Sequence, residues 1–157
     1  MRIKMRRLKN LPVFDQKTAR VVGWVERAVV GGDFKLAYVV IARDGGGRGV
    51  LKKNDFTLGA DALAINNSRC IKPYLAGEEL PVYKRKLGDA IFDHSGRELG
   101  IISDFILAAG SAEVEGVEVS SGTIQDMLSG RNEIPLDQIE WKSHTGAVAQ
   151  RKGSDYR

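Results

Sequence analysis

The sequence predicts an all-β fold: two small β-barrel units in tandem, packed together, with few and short helical turns. Three observations carry this. Runs rich in β-branched residues end in Gly-containing turns, stretches of helical periodicity are scarce, and the second half of the chain repeats the order of the first. With 157 residues, 43% hydrophobic and 28% charged, the composition is that of a folded globular protein.

Val21–Val30 is rich in β-branched residues and ends in Gly31-Gly32-Asp33, a hairpin signal. Residues 34–41 follow at once. Phe34, Leu36, Tyr38 and Val40 are apolar at alternate positions, but so are Ala37, Val39 and Ile41 on the other face, which predicts a strand covered on both sides. Asp44–Gly49 punctuates before Val50-Leu51, and Asp61–Ile65 closes the half. In the second half, Gly100–Leu107 and Ala112–Val119 read as strands around a turn at Ala108–Ser111. Val114 lies on one parity and Val117 and Val119 on the other, so a bulge is expected at Gly116, with Glu113, Glu115 and Glu118 on its solvent side. Ile134–Ile139 and Ala147–Ala149 complete the strands. Single helical turns are expected at Ile124–Leu128 and at Gly77–Leu80, the latter cut short by Pro81.

The repeat is visible residue by residue. Leu11–Asp15 matches Asp89–Asp93, Gly23–Val30 matches Gly100–Leu107, and Ala62–Ala64 matches Ala147–Ala149, at offsets of 78, 77 and 85. The division expected from it is a first unit over residues 1–65, a connector over 66–82, a second unit over 83–150 and a tail over 151–157. Units this small have little core of their own, so each is expected to pack on the other or on a second chain.

The formal net charge of +4 is a remainder. Residues 1–76 hold 15 basic and 6 acidic side chains, whereas residues 77–157 hold 9 and 14. A basic half suits nucleic acid, an anionic membrane surface or an acidic protein, and equally the acidic half of the same chain or of a second copy. The candidate interaction residues are Arg2, Arg6 and Arg7 at the N-terminus and Arg48, Lys52 and Lys53 after the glycine run. No aromatic residue is interleaved among the N-terminal basic ones, which weakens single-strand binding. No apolar run approaches the roughly 18 residues a membrane helix needs, and no secretory signal is read at the N-terminus. A single Cys70 excludes an internal disulfide framework and suits a reducing cytoplasm.

The chemical motifs fall away when weighed. Gly45–Gly49 invites a phosphate-loop reading, but no Gly-Lys-Ser/Thr ending and no helix follow it, so an exposed hairpin tip is expected. His94 and His144 lie in turns, and one Cys without a His/Cys cluster gives no zinc site. Nothing in the spacing of Ser103, His94 and Asp104 supports a catalytic triad. Cys70 reads as a packed residue rather than a nucleophile. No enzyme, cofactor or metal is therefore expected. The structural positions are Asp15, Gly23, Asp93, Gly96, Gly100 and Asp104. Asp93–Gly96 reads as an Asx-type turn, Gly100 as a close backbone approach, and Asp104 as a carboxylate among apolar neighbours that requires a hydrogen-bond partner.

Ile91-Phe92-Asp93, Gly96, Leu99-Gly100, Ile102 and Asp104, with Glu133–Ile139 downstream, resemble the PRC-barrel family signature. The first unit is similar over Leu8–Asp15 and Val22–Val25. It departs in a longer first turn with Thr18-Ala19 in place of the Gly, in Arg27 at the acidic strand position, and in Val50–Phe56 in place of the Pro-containing motif. The resemblance implies a non-enzymatic role. Domains of that family serve as docking surfaces in a photosynthetic reaction-centre subunit and in a ribosome-maturation factor. The expected function is accordingly a cytoplasmic protein-interaction or adaptor module that self-associates. RNA binding linked to ribosome assembly through the basic first unit is the alternative, and attachment to an anionic membrane a third.

Overall fold

β-branched runs separated by glycine turns have little choice but to pair as strands, and the chain is all-β. The structure, a computed structural model, describes residues 1–75, 82–122, 130–142, 146–150 and 156. Among these, no helix reaches seven residues, and the sheets curl into half-barrels. The helical turns expected at 77–80 and 124–128 lie outside the described residues.

The chain forms two units, Met1–Val82 with Leu107–Glu113, and Tyr83–Ile106 with Val114–Arg157. The first holds β1 (Arg2–Lys4), β2 (Pro12–Asp15), β3 (Arg20–Val30), β4 (Leu36–Arg43), β5 (Arg48–Lys52), β6 (Phe56–Leu58), β7 (Leu63–Ile65) and β8 (Lys72–Pro73). Its main sheet runs β6-β7-β2-β3-β4-β5-β8, antiparallel except where β2 lies parallel to β7. A short helix, α1 (Val82–Lys86), leads into β9 (Ala90–Asp93), β10 (Glu98–Ala108), β11 (Glu113–Ser120), β12 (Asn132–Pro135), β13 (Ile139–Trp141) and β14 (Gly146–Ala149). Their order is β12-β11-β10-β9-β14-β13, with β9 parallel to β14. The two orders are the same path: β2 corresponds to β9, β3 to β10, β4 to β11, β5 to β12, β6 to β13 and β7 to β14.

The correspondence extends to backbone detail. Val13 faces Gly23 and Ile91 faces Gly100 across the first hairpin of each unit, with a register shift beside each pair. Asn10 N–H donates to the Val25 carbonyl as Gly88 N–H donates to that of Ile102. Positive φ recurs at matched positions: Asn10 and Gly88 (71° and 87°), Ala19 and Gly96 (56° and 80°), Phe34 and Ala112 (59° and 55°). The turn Gly missing from the first unit is thus replaced by an alanine forced into the same left-handed conformation. Ala19→Gly is expected to raise stability by about 0.5–1 kcal/mol, since the steric cost of Ala there exceeds the extra chain entropy of Gly. A urea titration with an unchanged or lowered midpoint would contradict this.

Two expectations need correction. Lys72–Pro73, assigned to the connector, is the edge strand of the first sheet: Gly49 lacks the Cβ that would collide with Ile71, so the buried Ile71 seats there and brings Lys72 opposite Val50. Residues 107–113 belong to the first unit rather than the second. Ala109 N–H donates to the Met1 carbonyl and Leu36 N–H to that of Ala112, and Lys35 pairs with Glu113 at 3.4 Å. β11 pairs with β12 in continuous register from Gly116–Pro135 to Val119–Asn132, and Val117, Glu118 and Val119 are all buried, so both faces of β11 are covered there. Likewise Val39, Val40 and Ile41 are buried in succession on β4, as a doubly apolar strand requires.

Candidate interaction face

The acidic residues of the repeat are occupied by the fold. Asp93 is 3% exposed, and its Oδ1 accepts from the backbone N–H groups of Ser95 (3.0 Å) and Arg97 (3.0 Å) and from Ser95 Oγ (2.6 Å). Gly96 follows with its left-handed φ, completing the Asx-type turn. Asp15 does the same work in the first unit, accepting from Lys17 N–H (2.8 Å). Asp104 is fully buried; Tyr83 on α1 donates its hydroxyl to Asp104 Oδ1 (2.8 Å) and lays its ring edge-on to Phe105. That is the partner its apolar surroundings demanded.

Glu118 overturns its expected place on the solvent side. It is 1% exposed, and its Oε1 accepts from Ser103 Oγ (2.9 Å) and Arg131 Nη1 (2.9 Å). A glutamate between two buried valines points inward here because a hydroxyl and a guanidinium meet it. Ser103 therefore serves Glu118, Asp104 serves Tyr83, and His94 is exposed in the turn, so the three residues of the drawn triad are not assembled. Among the described residues, no group of three His, Cys, Asp or Glu side chains is placed to hold a metal ion.

The charged residues of the first unit produce a different picture. Arg48, Lys52 and Lys53 lie on β5 and in the 3₁₀ turn after it, and Gly45–Gly47 fall in the hairpin turn before it. Pairing across the sheet fixes what stands beside them: Tyr38 on β4 faces Lys52, and Val50 faces Lys72 on β8. The same face carries Arg27 and Tyr74. Arg27 Nη2 donates to the Tyr74 hydroxyl (3.2 Å), and both Arg27 and Arg48 stack over the Tyr74 ring at 5.9 and 5.6 Å. Arg48 is also paired to Glu26 at 2.9 Å. This end of the face is internally compensated.

The other end is not. Among the described residues, Lys52, Lys53 and Lys72 have no ion-pair partner. They border two adjoining grooves of about 430 and 500 Å³. Tyr38 and Val50 are common to both, Pro73 and Leu75 close one end, and Asp55 lies at the other. Leu75 is 77% exposed, the highest value among the large apolar side chains of the described residues. Arg2, Arg6 and Arg7 are exposed on β1 and in the turn after it, and none of them lines these grooves.

Cys70 closes the turn that delivers β8. Its Sγ contacts the Asp55 carbonyl at 3.8 Å, and burial, reinforced by the Asp55 charge, pushes the thiol up from its ordinary range. At pH 8 its alkylation by iodoacetamide is expected to be several-fold slower in the folded protein than in the urea-unfolded chain. Equal rates would place the thiol in an ordinary exposed environment.

Comparison with protein-family models and with curated proteins finds no match to this chain. The sequence missed Lys72, Tyr38, Tyr74 and Leu75 as members of one face, because the pairing of β8 with β5 is a long-range event. Glu118 had a local signal: the argument applied to Asp104, a carboxylate among apolar neighbours, applies to it equally.

Proposed function

We propose that the chain is a non-enzymatic docking module of the PRC-barrel type, which holds another protein on the groove face of its first unit. The carrying observation is the exposed Leu75 beside Lys52 and Lys72, two lysines without ion-pair partners among the described residues, around a groove with Tyr38 and Val50 in its lining. A partner that covers this solvent-facing leucine removes apolar area from water. Several further features support the reading. The strand path and the Asp and Gly turn positions recur in both units, Asp93, Asp104 and Glu118 are all engaged in structural hydrogen bonds, and among the described residues no helix is long and apolar enough to cross a membrane. We place the module in the cytoplasm and expect self-association. Light scattering that finds a strict monomer at all concentrations and salts would remove that last element.

A photo-crosslinking amino acid at position 75, used in the native cell, tests the docking. Nuclease-resistant protein adducts that vanish in a Lys52→Glu/Lys72→Glu background are expected. No adduct, or adducts made only to RNA, would overturn the reading.

One observation favours a second reading, RNA binding linked to ribosome assembly: the first unit presents Arg2, Arg6 and Arg7 in addition to Lys52 and Lys53, all but Lys53 exposed. Phosphate contacts of this kind predict an affinity that falls steeply with salt. A polyanion titration at low salt without binding would end it.

A further inference from the structure

We propose, resting on the docking reading, that the groove takes an extended acidic peptide segment of the partner protein, with carboxylates two residues apart and an apolar side chain two residues further on. The register of the sheet sets this spacing. Lys72 stands opposite Val50, and Lys52 is two residues along β5 from Val50, so the two lysines are diagonal neighbours, about 7–8 Å apart at the backbone. Residues i and i+2 of an extended chain project on one side, about 7 Å apart. A Glu-x-Glu stretch therefore matches Lys52 and Lys72 without bending. The next side chain on that side, at i+4, reaches the exposed apolar end formed by Pro73 and Leu75.

Charge and apolar surface alternate on this face, and that chooses the class of partner. Lys52, Lys53 and Lys72 offer ammonium groups to carboxylates, while Leu75, Pro73 and Val50 offer nothing to a phosphate backbone. Nucleic-acid bases seek open aromatic faces. Tyr74 already carries two guanidinium groups, and Tyr38 is half-buried. Pro73 on the edge strand lacks an N–H to extend the sheet, so recognition runs through side chains rather than through strand addition.

The test uses fluorescence anisotropy with the full chain and three labelled probes: a short peptide containing Glu-x-Glu-x-Leu, its Lys-x-Lys-x-Leu counterpart, and a single-stranded oligouridylate. The acidic peptide is expected to bind, and Lys52→Glu/Lys72→Glu to weaken it by about tenfold or more. The Lys-x-Lys-x-Leu peptide should regain affinity for that variant. Leu75→Ser should weaken the acidic peptide several-fold at low and at high salt alike, because the apolar contact is not screened. The proposal is overturned by no binding of the acidic peptide at low salt, by binding that the lysine reversals leave unchanged, or by tighter binding of the oligouridylate. If any of these occurs while protein adducts at position 75 persist in the cell, this occupant is wrong and the docking reading stands. Loss of those adducts ends both.

Discussion

Replacing Gly100 by alanine is expected to unfold the second unit, at a cost of about 4 kcal/mol or more. Two independent penalties meet at this residue. Its φ of +140° lies in a region that only glycine populates without strain. An added Cβ would also collide with the Ser120 carbonyl oxygen, and would lie 2.8 Å from the carbon of that carbonyl and 2.9 Å from Val119 Cγ1. These atoms belong to the neighbouring strand, so relief requires β10 and β11 to part. Gly23, its counterpart, meets the Ala42 carbonyl in the same way but without the positive φ, so Gly23→Ala should cost less than Gly100→Ala. Gly96→Ala is the control: its φ is +80°, but a Cβ there enters open space, and the cost should stay near 1–2 kcal/mol. Urea unfolding of the three variants, with amide exchange read on β9–β12, checks the order. A Gly100→Ala protein as stable as Gly96→Ala would refute the steric argument.

How much of this was legible beforehand depends on the range over which each feature is determined. The Asp93 turn is set by four consecutive residues, and the strands by alternation and glycine punctuation, so both can be read locally. The repeat could be read because matched close approaches of neighbouring strands select matched residues, glycine at 100 and 23 above all. What the sequence hid was long-range. Leu107–Glu113 reads as a hairpin of the second unit, yet its backbone groups bond to Met1 and Leu36 of the first. Lys72 looks like linker because its role follows from Ile71 fitting over Gly49, more than twenty positions away. Arg48 reads as a free basic tip, and its pairing with Glu26 and stacking on Tyr74 arise only once β3, β5 and β8 lie together. The lysines of the groove were visible as charges. Their lack of compensation was not, because that is a property of what surrounds them.

Glu118 and Arg131 make the second large prediction, and its value lies in an asymmetry. The carboxylate is 1% exposed, while the guanidinium side chain that meets it at 2.9 Å is 41% exposed. Removing either partner breaks the same ion pair, but the survivors differ. Arg131→Met leaves a charge away from water with the Ser103 hydroxyl still donating to it, and should cost about 3 kcal/mol. Glu118→Gln leaves a guanidinium already reached by water and keeps an acceptor for Ser103, and should cost about 1 kcal/mol. Combining Glu118→Met with Arg131→Met removes both charges and fills the space with apolar atoms. The double variant is expected to recover most of the stability lost by Arg131→Met alone, falling within about 1 kcal/mol of the parent. Equilibrium unfolding in urea of the single and double variants measures all of these differences. If Glu118→Gln proved as costly as Arg131→Met, the burial of the carboxylate would not be what makes the pair matter. If the double variant were the least stable of all, the pair would be contributing net stability to β11 rather than answering a charge that the strand buries.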